Sequence, residues 1–262
     1  RCGLCIIPSM RGDFRSRTLE SIVADAKKYA DKGVSEVILI GQDTTSYGKD
    51  IQTSLPKLLR ALNEVEGLNW IRFMYAYPNL VSDDLLDAMA ECDKVVKYMD
   101  VPLQHMHPSV LKSMRRPVMD HIEMLKKIRS RVPNIKIRTG LIVGYPGETE
   151  EQFEFMLNSL DDAQFDRMGV FEYSDVEGAA SQKLENKVPK KEITRRRNLM
   201  MAKQQSISLA KNKQLVGQTV DVLIDMIDPM KGTFEGRTQW DAPEVDNKVM
   251  GKVTANIDRK SV

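Results

Sequence analysis

Cysteine is scarce in this chain. Three cysteines in 262 residues cannot make the framework of a disulfide-stapled secreted domain, so a reducing, cytoplasmic setting is expected. No apolar run approaches the roughly 18 residues of a membrane span, which argues against membrane attachment. No signal peptide is visible and no Met opens the chain, so an upstream part before Arg1 is expected. Charge of one sign is missing too. The net charge of +2 neither demands nor excludes a nucleic-acid partner. Internal repeats and low-complexity segments are absent.

What is there suits one large α/β domain followed by a small one. Hydrophobic residues make up 42% of the chain, enough for a real core, and the length exceeds one typical domain. Val34 to Gly41 reads as a buried strand, and Asn69 to Ala76 as a second. Val95 to Val101, Ile135 to Val143 and Arg167 to Tyr173 are further short apolar runs. Helical stretches lie between them: Leu19 to Lys32, Leu55 to Glu66, Asp83 to Glu91, Ile122 to Arg131 and Glu150 to Asp161. Strands alternating with helices of this length, over short connections, predict βαβ units and a parallel sheet.

The pattern changes near Pro189. Lys190 to Lys213 reads as one long charged helix with Leu199, Met200, Ile207 and Leu209 as buried positions. Its run Arg195-Arg196-Arg197 reads as a solvated face. After Gly217 the period becomes two. Thr219 to Asp225 and Val249 to Ile257 read as strands, with Gly232, Gly236 and Pro243 punctuating the space between. This predicts a small β-barrel that stops before its last strand. The expected domains are therefore 1–213 and 214–262.

Cys2-Gly-Leu-Cys5 is a C-x-x-C pair. A zinc knuckle would need about four ligands, and no second such pair exists. A thioredoxin-like pair would follow a strand and open a helix, whereas Ile6 to Gly12 reads as a loop. Cys92, on an amphipathic helix, reads as a small buried hydrophobe. A cluster bound by thiolates remains, since soft thiolates suit iron–sulfur chemistry. The pair alone does not decide among these.

Several other segments point one way. Arg1 to Gly12 with Arg15-Ser-Arg17 resembles the cluster loop of the radical-SAM methylthiotransferases. Ile38 to Gly48 is similar to the turn after their second barrel strand. Asp100-Val-Pro-Leu-Gln-His105 with Val110-Leu-Lys-Ser-Met-Arg-Arg116 resembles the fourth strand and the helix after it. Gly140-Leu-Ile-Val-Gly-Tyr-Pro-Gly-Glu-Thr149 resembles the fifth strand, and Phe171-Glu-Tyr-Ser174 the sixth. The resemblance covers essentially the whole chain, with the motifs in order.

The resemblance implies an α/β fold: an incomplete (β/α) radical-SAM barrel of the TIM-like type, followed by an OB-like TRAM domain. It implies a 4Fe–4S cluster held by three cysteines. Cys2 and Cys5 would be two of them, and the third would lie three residues before Arg1. The open iron would chelate S-adenosylmethionine, and the reduced cluster would split it to a carbon radical that abstracts hydrogen from the target. A second 4Fe–4S cluster in an amino-terminal domain absent here would supply sulfur, so this fragment alone is expected to be inactive.

Two branches of that family compete. One modifies an adenosine in tRNA. The other methylthiolates the β-carbon of an aspartate in a small-subunit ribosomal protein. Gln42-Asp-Thr-Thr45, Pro102-Leu-Gln-His105 and Asp241-Ala-Pro-Glu244 resemble the protein-modifying branch. Charge offers an independent check. From Gln214 to Val262 there are six basic and eight acidic residues, a net of −2, which suits a basic protein better than phosphates. A basic ribosomal protein substrate, an electron-donor protein and a monomeric enzyme are expected, with tRNA the lesser alternative. A non-catalytic zinc-plus-barrel binding module is the alternative of another class.

Candidate site residues follow from strand ends, where parallel α/β barrels carry their chemistry. Gln42 and Asp43 stand where many radical-SAM enzymes hold the amino group of S-adenosylmethionine. Gln104 ends the fourth-strand motif beside His105, which by itself reads as a satisfied buried histidine. Arg138, within a strand, would meet the carboxylate of S-adenosylmethionine if it points inward and would be mere surface otherwise. Gly144 either lets backbone approach an adenine or serves a turn before a helix capped by Thr149 and Gln152. Leu4 lies between the cluster cysteines and is placed against the cofactor by the resemblance. Trp70 reads as core, and Trp240 as contact or packing. No catalytic acid or base is assigned.

Overall fold

The computed structural model describes residues 2–253. After a short helix, α1 (Ile7–Arg11), strands and helices alternate: α2 (Leu19–Ala30), β1 (Glu36–Leu39), α3 (Leu55–Asn63), β2 (Trp70–Phe73), α4 (Asp83–Glu91) and β3 (Tyr98–Asp100). Then come α5 (Pro108–Ser113), α6 (His121–Arg131), β4 (Lys136–Val143), α7 (Glu150–Ala163), β5 (Arg167–Glu172) and the long α8 (Lys190–Lys213). All pairings from β1 to β5 are parallel. The β1–β2 pair joins β3–β4–β5 through Ile71, whose N–H donates to Lys94 and whose carbonyl accepts from Val96. The result is one curved sheet in the order 1-2-3-4-5.

Side-chain alternation explains its two faces. On β4, Ile137, Leu141 and Val143 are buried against the helical layer, with Leu58, Leu59 and Leu62 of α3 and Phe153, Met156 and Leu160 of α7. Each such leucine contributes about 1.5–3 kcal/mol by leaving water. The intervening Arg138 and Gly140 face the concave side. Local signals start the helices: Thr18, Ser82 and Asp120 each accept from a backbone N–H at the starts of α2, α4 and α6. The expected Thr149–Gln152 capping box is present at α7.

Beyond α8 lies a three-stranded antiparallel sheet: β6 (Val222–Asp228), β7 (Thr233–Thr238) and β8 (Val249–Lys252). The part of the expected last strand at 254–257 lies outside the described residues.

Several expectations need correction. Ile6 to Gly12 is not all loop, because α1 forms with Pro8 in its first turn, where a missing N–H costs nothing. The β1 strand is half-buried rather than buried, because it is the outer strand of the sheet. On α8, Met200 faces the core and Ile207 packs at its margin, but Leu199 and Leu209 are exposed. Arg196 is buried, not solvated. Cys92 is buried as expected but sits just past the end of α4. Gly236 is no turn residue. It lies within β7 opposite the irregularity at Ile224–Met226, where a Cβ would stand 2.4 Å from the Leu223 carbonyl oxygen.

Candidate functional site

The chain's chemistry-bearing residues gather at the two ends of the concave face. At the C-terminal ends of the strands sits the cysteine loop. The Gly3 N–H donates to the Met114 carbonyl, and the Gly3 carbonyl accepts from Ser181. The Cys2 Sγ lies 3.4 Å from the same Met114 oxygen. Cys2 and Cys5 are half-buried free thiols. Leu4 packs against Val110, Met114 and Tyr145. Thiolate donors held on a docked loop fit a soft metal centre. Among the described residues, no group of three His, Cys, Asp or Glu side chains forms there.

Beside this loop the concave face holds a cavity of about 450 Å³. Gln42, Gln104 and Arg138 line it together, with Tyr75, Tyr77, Arg116, Gly140 and Phe171. The backbone here is unusual. Tyr75 and Gln104 follow β2 and β3 and have φ of +62° and +72°, a left-handed conformation that costs non-glycine residues about 1–3 kcal/mol. Gln104 is locked by its N–H to Gly140 at 2.9 Å and its carbonyl from Ile142 at 2.8 Å. A hollow of this size at strand C-termini, mostly apolar with Gln42, Gln104, Arg116 and Arg138 as its polar groups, suits a nucleoside-sized cofactor. A Cβ placed at Gly140 would meet only the Phe171 ring, at 3.4 Å.

Two candidates lie elsewhere. Asp43 caps the turn Thr44–Ser46, accepting from the backbone N–H of Ser46 and from the hydroxyls of Thr45 and Ser46. Gly144 has φ of +77°, and a Cβ there would stand 2.3 Å from Ile193 of α8. Its smallness is required by helix packing. The Gly144 N–H donates to the buried Glu148 carboxylate, which also takes Arg196 at 2.6 Å. His105 is buried. Its Nδ1 accepts from the His107 N–H at 2.9 Å, and its Nε2 lies 3.3 Å from Glu148, a close contact without hydrogen-bond alignment. Burial, and secondarily Arg116, push the neighbouring His121 down to about 4, so it stays neutral.

The N-terminal ends of the strands are closed by the loop after β7. Arg138 bonds Asp100 at 2.8 Å within the sheet and reaches Asp246 of that loop at 3.4 Å. Tyr98 donates to Asp246 at 2.6 Å, and Arg167 to Asp241 at 2.7 Å. Arg72 donates to Glu36 and to the Gln239 carbonyl, and Arg237 bridges Glu36 and Asp225. Burial raises the Asp100 carboxyl, an effect that Arg138 partly offsets. Burial and the Asp246 charge push the Tyr98 hydroxyl up. Trp70 packs at this junction, and the ring of Trp240 lies under Lys136 Nζ. Val245 of the same loop reaches into the cavity that holds Gln42 and Gln104.

Sequence reasoning passed over Tyr75, Tyr77, Arg116 and Val245 as lining residues. Arg116 stood in a quoted motif, but nothing in the linear pattern turned its side chain toward the cavity.

Comparison with known proteins follows the same division. The profile of the radical SAM superfamily matches residues 1–160, and that of the TRAM domain matches residues 216–258. The ribosomal protein uS12 methylthiotransferase RimO of Koribacter versatilis is 47% identical over 255 residues, covering 95% of this chain and 50% of that protein. Its namesake from Desulforamulus reducens is 43% identical over 95% of this chain and 57% of its own length. That from Synechocystis sp. is 44% identical over 98% and 59%. The chain thus spans a little over half the length of these relatives. Among solved structures, coproporphyrinogen III oxidase (HemN) from Escherichia coli, a radical SAM enzyme, superposes with a TM-score of 0.54 at 19% identity. It covers 83% of this chain and 51% of its own. Methylornithine synthase (PylB) gives 0.52 at 15%, covering 78% and 59%. These two likenesses concern the fold alone.

Proposed function

Because the chain belongs to the radical SAM superfamily, we propose that it is the core and TRAM module of an enzyme that methylthiolates the β-carbon of an aspartate in ribosomal protein uS12. The observation that carries this reading is the cavity at the strand ends. Gln42, Gln104 and Arg116 line it, and the loop of Cys2 and Cys5 is docked beside it on Met114. Identity of 43–47% with proteins named for that activity supports it. A net charge of −2 over the last 49 residues suits a basic protein substrate.

In this reading Cys2 and Cys5 donate two thiolates to a 4Fe–4S cluster, and Leu4 packs the loop between them. Bound there, the cluster and S-adenosylmethionine supply one-electron chemistry that activates a carbon–hydrogen bond. The chain's own residues do the rest. Gln42 and Gln104 orient polar groups of the cofactor by hydrogen bonds. Phe171 and Tyr75 shield the cavity from water. Asp43 holds the turn that follows Gln42, and Gly144 lets Ile193 of α8 approach the end of β4. A second cluster, carried by another part of the protein, furnishes sulfur, and a donor protein furnishes the electron. The boundary between the two modules falls at residues 213–214, and the enzyme works as a cytoplasmic monomer. No helix among the described residues is long and apolar enough to cross a membrane.

The test is to offer the full-length, anaerobically reconstituted enzyme both uS12 and tRNA. A mass gain of one methylthio group on the uS12 aspartate is expected. Methylthiolated adenosine as the sole product would overturn the reading.

A further inference from the structure

The ion pairs at the N-terminal ends of the strands balance, with one exception. Arg72 and Arg237 meet Glu36 and Asp225, and Arg167 meets Asp241. Asp166, just before β5, is shared by two cations. Its Oδ1 lies 3.0 Å from Lys211 Nζ of α8 and 3.6 Å from Lys136 Nζ of β4, while its Oδ2 accepts from the Ile137 N–H at 2.9 Å. Both lysines are largely buried, with 19% and 23% of their side-chain surface exposed. Beside them Arg129 of α6 spends its guanidinium on the Ala163 and Gln164 carbonyls, which bring no negative charge. Burial pushes the Lys211 ammonium below its ordinary value; Asp166 pulls against this, and Arg129 and Lys136 add to it.

The two lysines line a cavity of about 140 Å³ where the sheet and α8 meet the β6–β8 module. Asn212, Trp240 and Asn247 complete the wall, together with Lys248, which Glu235 already holds. Lys136 Nζ stands over the Trp240 ring, 5.4 Å from its centroid. The indole N–H of Trp240, a donor only, is buried without a partner among the described residues.

Two ammonium groups on one carboxylate oxygen leave a positive charge unmatched, and a buried donor left unpaired adds its own desolvation cost. A group that answers both carries negative charge and several acceptor oxygens. The volume is that of a few water molecules at about 30 Å³ each, which admits a tetrahedral oxyanion and is too small for a nucleoside. The cations belong to β4 and α8, so the net charge of −2 over the last 49 residues does not weigh against an anion here.

We propose that this recess binds a phosphate-class oxyanion through Lys136, Lys211 and the Trp240 N–H, at the end of the sheet opposite the cavity of Gln42 and Gln104. Bound there, the anion ties β4, α8 and the β6–β8 module together, and it stabilises the folded chain by mass action. The oxyanion is either free or a backbone phosphate of RNA. The site requires neither the cysteine loop nor the methylthiolation reading.

The experiment is equilibrium dialysis of labelled inorganic phosphate against the full-length protein at constant ionic strength. Wild type is compared with Lys211→Met, with Trp240→Phe and with Lys57→Met, which removes an exposed lysine of α3 as a control. Wild type should take up phosphate with a Kd of about 1 mM or tighter. Lys211→Met should weaken uptake about tenfold or more and Trp240→Phe about threefold, while Lys57→Met stays within about twofold. No saturable uptake by wild type up to about 20 mM, or equal affinity in wild type and Lys211→Met, would overturn the proposal. Should Lys211→Met not fold, Trp240→Phe decides, and an unchanged affinity in it has the same consequence. Competition with a short single-stranded RNA separates the two sources. Phosphate displaced by the RNA marks a backbone phosphate, and phosphate retained in its presence marks a free oxyanion.

Discussion

The two ends of the concave sheet are built on opposite principles. At the N-terminal end nearly every buried charge is matched: Arg167 with Asp241, Arg138 with Asp100 and Asp246, and Arg237 with Glu36 and Asp225. At the C-terminal end Arg116 has no matching carboxylate among the described residues, Tyr75 and Gln104 sit in left-handed backbone, and Tyr75 is 43% exposed. Satisfaction at one end and deficit at the other separate the two jobs of a parallel α/β sheet. One end holds the modules together, and the other, in the function proposed above, is left open for a ligand. Matched buried ions add little net stability over apolar packing, but they fix which surfaces meet.

That contrast can be broken experimentally. The largest effect is expected from Cys5→Ala, at the ligand end. Anaerobic reconstitution of the full-length protein should yield about half the wild-type iron and visible absorbance, the remainder belonging to the second cluster, while the unfolding free energy of the unloaded protein in urea changes by less than about 0.5 kcal/mol. A midpoint that collapses would mean that the cysteine loop serves stability.

The reverse is expected at the other end. Asp241→Ala strands the Arg167 guanidinium, which is only 12% exposed, and should cost about 3–5 kcal/mol in urea unfolding. Cofactor affinity of the folded fraction should hold.

His121 sharpens the comparison by pH. Its folded pKa of about 4 lies below the ordinary 6.5, first because of burial. The unfolded chain therefore binds a proton in that window and the folded chain does not. Stability from this group is complete above about pH 6.5 and is lost as pH falls through 4, by about 3 kcal/mol in all. His121→Phe should flatten the stability difference between pH 6.5 and 4 relative to wild type. An unchanged slope would place the acid sensitivity elsewhere.

The smallest effect is expected from Thr149→Ala, which removes half of the capping box at α7. It should cost about 1 kcal/mol and leave cofactor affinity alone.

The sequence was most readable where the signal is local. Thr149 and Gln152 announce the start of α7, and Lys190 to Lys213 is bounded correctly because Pro189 stops one pattern and the charged run carries the next. Faces were harder. The α8 helix is polar all round, so no apolar stripe told Leu199, exposed, from Met200, buried, or marked Arg196 as the residue that turns inward to Glu148. Gly236 resembled a turn glycine because nothing local reveals that Leu223 will press on it from the next strand.

In the candidate site, strand ends gave Gln42 and Gln104, since position along a strand is a one-dimensional property. The partners of Arg138 and Arg116 were hidden. Asp246 lies more than a hundred residues from Arg138 in the chain, and an unmatched cation is defined by what folding fails to bring to it.

The seating of the 239–247 loop bears on how such enzymes can be rebuilt. The β-module contributes Asp241 and Asp246 to the barrel's ion pairs and Val245 to the cavity wall. It is therefore not an interchangeable attachment. A chimera that replaces the module with one from a distant relative would remove part of the cavity wall along with it. Exchange of substrate recognition between relatives would have to carry this loop, together with Arg138 and Arg167, as a single inherited unit.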